Sequence, residues 1–187
     1  MRLVGLDKEI MAACSILVVG LSFATCTNSP VRSAPAALID LHVAAPAPGW
    51  VESAGAFQEF GDTDVYNLLY DSVYLMNNAV RNGFHTSYEN AAETTTVNVV
   101  IIDYGTAADA FAVWDTLKHS RADMNHPVTM PDFSASAEGS QTYNGLVVYS
   151  CFGRFYFQLT FNNYPDPNRA VADAEAFLGK YKAIAEK

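Results

Sequence analysis

The stretch "TYNGLVVYSCFGRFYFQLTFN", Thr142–Asn162, decides the fold. In its second half Phe155, Phe157, Leu159 and Phe161 alternate with Tyr156, Gln158 and Thr160, the two-residue period of a strand with one apolar face. Its first half is equally β-prone, and Gly153 between them supplies the backbone freedom that a tight turn needs. Two strands joined so closely pair antiparallel, because a parallel pair needs a long crossover.

Upstream, "FHTSYEN" (Phe84–Asn90) and "TTTVNVVIIDY" (Thr94–Tyr104) predict two more strands around a polar turn. The second closes on a Val/Ile run, the mark of a strand covered on both faces. Three segments carry helical spacing. In Asp64–Arg81 the apolar set is Val65, Leu68, Leu69, Val73, Met76, Ala79 and Val80, with Gly83 able to close the helix. "GTAADAFAVWDTLKHSR" offers Thr106 as N-cap, Asp109 three residues on, and a stripe of Ala110, Phe111, Trp114 and Leu117. The last, "PDPNRAVADAEAFLGKYKAIAEK", has Asp166 as N-cap and Pro167 at the first helical position. Val171, Ala174, Phe177, Leu178, Tyr181 and Ile184 form its apolar face. The residues between Ala122 and Glu138 read as a looser segment. The expectation is an α+β fold, a mainly antiparallel sheet of about five strands with three helices packed on it, in the order α-β-β-α-β-β-β-α.

A chain of 187 residues, half of them hydrophobic, suits one core. Its formal charge of −9 repels phosphate backbones, which removes nucleic acid from the partners. Eleven Phe and ten Tyr promise an aromatic core. Cys14, Cys26 and Cys151 lack the paired spacing of a zinc site or a disulfide framework. Cys151, set in an apolar strand, reads as a small buried hydrophobe, and a Cys26–Cys151 bridge requires Cys26 to be unmodified.

Ala12–Ala24, "AACSILVVGLSFA", is uncharged but shorter than the roughly 20 residues a spanning helix requires. It reads as the hydrophobic part of an export signal. With Cys26 following, it resembles the bacterial lipoprotein signal. Ala24 fits the small position two before the cysteine, while Phe23 and Thr25 depart from the usual Leu and Gly or Ala. The resemblance implies a signal peptide over residues 1–26 ending at Cys26, cleavage just before that cysteine, acylation of Cys26 as the mature amino terminus, and a protein held to a membrane of the cell envelope by lipid. The rival reading is ordinary signal cleavage, releasing a periplasmic or secreted protein. "TNSPVRSAPAALIDLHVAAPAPG", residues 27–49, is rich in Ala, Pro and Ser and reads as a flexible tether. A single domain is then expected over 50–187, opening at Trp50.

No Gly-x-Ser-x-Gly elbow, dinucleotide fingerprint or Walker loop occurs, and "AEGSQ" around Ser140 is a weak substitute. Asp103, at a strand end, suits a turn or cap better than a general base. His119, Asp123 and His126 are spaced by four and three, so a helix continued past Arg121 would set them on one face as metal ligands. Met124, Met130, Phe133, Tyr143, Tyr149, Phe152 and Tyr156 suggest instead an apolar groove beneath the 122–138 segment.

"VVIIDYGTAADAFAVWDTLK" and "LVVYSCFGRFYFQLTF" together resemble a family of uncharacterised exported bacterial proteins. In that family a strand leads to an Asp-Ala-Phe helix and later to a strand pair entered through Gly-Arg-Tyr. The matches are Asp109-Ala110-Phe111 and Gly153-Arg154, with Phe155 in place of Tyr, and Gly83-Phe84 upstream; the likeness spans about Val97–Lys187. It implies an envelope domain and carries over no catalytic residue or cofactor. The sequence thus predicts a non-catalytic module binding an apolar small molecule or an envelope protein. The alternative is a small metal-dependent enzyme or metal-binding protein using the His119-Asp123-His126 loop.

Overall fold

The computed structural model describes residues 36–62, 64, 80–120, 126–164 and 166–187. One compact unit runs from Ala34 to Lys187. Its strands are β1 (Val51–Glu52), β2 (Gln58–Gly61), β3 (Asn82–Asn90), β4 (Thr95–Asp103), β5 (Pro127–Val128), β6 (Ala137–Thr142), β7 (Gly145–Phe152) and β8 (Phe155–Asn162). The helices among the described residues are α1 (Ala107–Ser120) and α2 (Pro167–Ala185), with 3-10 turns at Leu38–Leu41 and Pro131–Phe133. All strands join one sheet in the order β1-β3-β4-β8-β7-β6-β5, with β2 also on β3, and every pairing is antiparallel.

The α+β class and the antiparallel sheet are as expected, but the described residues form eight strands where about five were expected. β1, β2 and β5 are too short to show an alternation of their own, and β6, "AEGSQT", is built from small and polar residues. Pairing with longer neighbours makes them strands, since β-propensity is mostly a matter of context. The helix expected over Asp64–Arg81 falls largely outside the described residues.

Register sorts the side chains. β7 and β8 turn at Gly153-Arg154, with Phe152 opposite Phe155 and Gly153 at φ 54°, a left-handed conformation that glycine adopts without Cβ strain. β3 pairs with β4 over nine residues, and β4 with β8. One face therefore collects Phe84, Tyr88, Val97, Val99, Ile101, Leu146, Val148 and the alternating set of β8, all buried against α2. The other face collects Val100, Ile102, Tyr149 and Tyr156 beneath α1. The Val/Ile run of β4 is covered on both faces, as its composition requires.

Two expectations about faces are corrected. Tyr156, expected among the outward residues, is fully buried, because α1 crosses that half of the sheet; Gln158 and Thr160 stay half-exposed. Phe111 is 50% exposed, and the α1 stripe runs Ala110, Val113, Trp114 and Leu117. Those four keep the i, i+3, i+4, i+7 spacing of one helix face, from which Phe111 is rotated by about 100°.

Residues 36–49, expected to be tether, belong to the packed body. Leu38 and Leu41, three apart on a 3-10 turn, fall on one side and are buried with Ala36, Ala47 and Trp50 in the α2-side core. Asp40 accepts a hydrogen bond from the Ala37 amide at 2.8 Å, and the Tyr88 hydroxyl donates to the Val43 carbonyl at 2.8 Å. Four apolar side chains spaced among the prolines and alanines are enough to fasten the segment. Residues 27–35 lie outside the described residues.

Candidate functional site

Antiparallel register brings three connections to one end of the sheet. Thr96 pairs with Asn162, and Asn162 with Gly145. The β3–β4 turn, the β6–β7 turn and the exit from β8 must therefore lie side by side. Between them opens a cleft of about 610 Å³ lined by Glu93, Thr94, Tyr143, Asn144, Asn163 and Tyr164.

Each connection is held in a defined shape. Thr94 and Asn163 are in the left-handed region at φ 55° and 62°, a conformation that costs a β-branched residue more than it costs asparagine. Such outliers persist only where the surroundings over-determine them. Thr94 Oγ1 donates to the Glu93 carbonyl at 2.6 Å, and the Tyr164 amide donates to the Asn144 carbonyl at 3.0 Å, tying two of the connections together. Gly145 permits the close approach: a Cβ there would lie 1.9 Å from the Phe161 carbonyl oxygen. Arg169, on the first turn of α2, pairs with Glu93 across the third connection.

The polar groups of the cleft differ in what remains free. The Tyr164 hydroxyl donates to Asp173 at 2.7 Å, and burial, with that carboxylate beside it, pushes its pKa well above the ordinary tyrosine value. Its ring stacks on Trp50, so it forms the floor. Asn144 and Asn163 are exposed, and the Tyr143 side chain is wholly exposed at the tip of its turn. The lining thus offers neutral donors and acceptors, one aromatic ring standing in water, and a carboxylate whose charge is already matched.

A second polar cluster is structural in its contacts. His42 Nε2 donates to Glu52 at 2.7 Å, Thr86 Oγ1 donates to the same carboxylate oxygen, and the imidazole stacks on Phe57 at 4.0 Å. Beneath it the Tyr88 and Tyr181 rings are buried. Burial pushes Tyr88 up to about 12 and Tyr181 well above the ordinary value, so both hydroxyls keep their protons at neutral pH. The cluster pins residues 42–52 to β3.

The residues singled out from the sequence separate in space. α1 is described as far as Ser120, and His126 lies in a bend before β5, its carbonyl accepting from the Gln141 amide. The helical continuation that would align His119, Asp123 and His126 therefore does not reach His126; Asp123 and the side chain of His119 lie outside the described residues. No group of three or more His, Cys, Asp or Glu among the described residues is placed to hold a metal. The expected apolar groove is divided: Met130 and Phe152 pack on the α2 side, Tyr149 and Tyr156 beneath α1, and Tyr143 at the sheet end. Met124 is outside the described residues. Ser140 is a buried residue of β6.

Asp103 is a strut. Its Oδ1 accepts from the Gly105 amide at 2.7 Å and its Oδ2 pairs with Arg154 Nη2 at 2.9 Å, while Arg154 also donates to the Ala36 carbonyl. Cys151, free and half-buried in β7, has its thiol pushed up to about 11 by burial, which suppresses the reactive thiolate. Cys26 lies outside the described residues, among which no helix is long and apolar enough to cross a membrane.

Of the cleft, only Tyr143 was singled out by sequence reasoning, and for another role. Glu93, Thr94, Asn144, Asn163 and Tyr164 sit in polar turns whose neighbourhood depends on strand register. Counting equal lengths back from the β7–β8 hairpin is the signal that would have grouped them. Set against protein families, curated proteins and solved structures, the chain matches none of them.

Proposed function

We propose that the protein is an exported module of the cell envelope, anchored by lipid on Cys26, which binds its ligand without chemical conversion in the cleft at the turn end of the sheet. The observation that carries this reading is the cleft itself. It is an open cleft of about 610 Å³ formed by turn residues at the ends of paired strands, two of whose connections are tied by the hydrogen bond from the Tyr164 amide to the Asn144 carbonyl. Its lining moves the expected ligand from an apolar molecule to a polar one. The export signal and anchor rest on Ala12–Ala24 and the cysteine that follows.

Two measurements test the two halves. Intact mass of the protein from its native membrane should begin at an acylated Cys26; an unmodified amino terminus elsewhere removes the anchor. Amide NMR of the protein titrated with neutral, cationic and anionic polar solutes should give shifts gathered at residues 93–94, 143–144 and 163–164. A panel in which no class of solute perturbs those amides removes the binding role.

A further inference from the structure

The cleft's chemistry is narrower than that of a general polar surface, and each class of ligand can be set against it. An anion meets no cationic side chain in the lining and a protein of formal charge −9. A cation finds one carboxylate, already paired with Arg169. An apolar molecule strips water from Asn144 and Asn163 and replaces none of their hydrogen bonds.

What the lining does fit is a neutral molecule carrying hydroxyls around its rim and C–H groups on a face. Asn144 and Asn163 each present a carbonyl acceptor and two N–H donors, the pattern that reads a hydroxyl as both donor and acceptor. The Thr94 hydroxyl spends its proton on the Glu93 carbonyl and keeps its lone pairs for an incoming O–H. Tyr143, wholly exposed at a two-residue turn, offers an apolar ring with a polar tip. Tyr164 closes the floor with its hydroxyl already committed to Asp173.

We infer that the cleft is a saccharide-binding site, in which Tyr143 is the platform for the C–H face of a pyranose ring and Asn144 and Asn163 hold its hydroxyls. This rests on the reading of the cleft as a binding site and names the class of ligand it takes. The same chemistry is carried by a free oligosaccharide and by the glycan chain of an envelope polymer.

Calorimetric titration of the full chain with cellotetraose, maltotetraose and the β-1,4-linked tetramer of N-acetylglucosamine tests it, together with retention on insoluble peptidoglycan. At least one tetrasaccharide should bind with a Kd below about 1 mM, and Tyr143→Ala should weaken it at least about tenfold. Tyr143→Trp should retain it, and Asn163→Gly, which also relieves the backbone, should weaken it several-fold. Retention on peptidoglycan that Tyr143→Ala abolishes supports the inference equally and identifies the polymer as the source. Because Tyr143 packs against nothing, its alanine variant should melt with the parent, so lost binding cannot be lost folding. Absence of binding to every glycan at about 10 mM overturns the inference, as does binding that Tyr143→Ala leaves intact. If a non-saccharide solute still perturbs the cleft amides by NMR, the saccharide assignment alone falls; if none does, the binding role falls with it.

Discussion

Asp103 and Arg154 show how single residues here are committed to structure. The Asp103 carboxylate is 6% exposed and the Arg154 side chain 27%, and their contact joins the end of β4 to the β7–β8 turn and to Ala36. Gly153 and Arg154 thus have a mechanical role: glycine makes the turn, and arginine ties it to the neighbouring strand. The role of Asp103 was legible in the sequence because a strand-end aspartate caps its own local backbone. Its partner was not, since Arg154 lies 51 positions further on. The buried tyrosines carry a pH consequence. Tyr88 is raised from 10.0 to about 12, and Cys151 from 9.0 to about 11, each by burial; Tyr104, Tyr164 and Tyr181 move the same way. In each case the native state keeps a proton that the unfolded chain releases. Their contribution to stability is therefore whole below the unfolded values and is lost as pH rises through the folded ones. Melting temperature should fall steadily above about pH 9, with tyrosinate absorbance rising together with unfolding; ionisation of all ten tyrosines in the intact fold would contradict this.

At the scale of elements, the caps and stripes of the helices were written locally and formed locally. Thr106 Oγ1 accepts from the Asp109 amide at 3.1 Å and donates to the Asp109 carboxylate at 2.6 Å, and Asp166 accepts from the Asn168 amide at 2.9 Å. The face of α2 is the predicted one, but its packing partners come from the far parts of the chain: Phe177 meets Trp50, Phe161 and Tyr88 edge-on at 5.4, 5.6 and 5.7 Å. Phe177→Ala should cost about 3–5 kcal/mol, since the aromatic cage around it cannot collapse. Thr106→Ala, at an exposed cap, should cost about 1 kcal/mol. Urea denaturation separates them by midpoint; equal shifts would mean that Phe177 is not the centre of this core. The short strands β1, β2 and β5 were illegible for the opposite reason, having no internal pattern and existing only as partners of β3 and β6.

For the whole molecule, the N-terminal segment changes the reading most. A stretch of proline, alanine and serine suggests a tether, yet Leu41 is fully buried in the core beneath α2. Leu41→Ala should lower stability by about 2–5 kcal/mol, measured as a shift in the urea midpoint. A midpoint equal to that of the parent would return residues 36–49 to the tether. Whatever is settled within one turn of helix or one pair of neighbouring strands could be read directly from the residues: the alternation of β8, the hairpin at Gly153, the caps at Thr106 and Asp166, and the α+β class. These follow from periodicity and backbone preference, which act over a few residues. Long-range packing is what makes Leu38 and Leu41 complete the core, buries Tyr156 under α1, and brings the turns at Thr94, Asn144 and Asn163 to one end of the sheet. The physical reason is register: Thr96 meets Asn162, and Asn162 meets Gly145, through pairings that each strand makes with a distant one. The cleft exists only where those pairings bring its walls together.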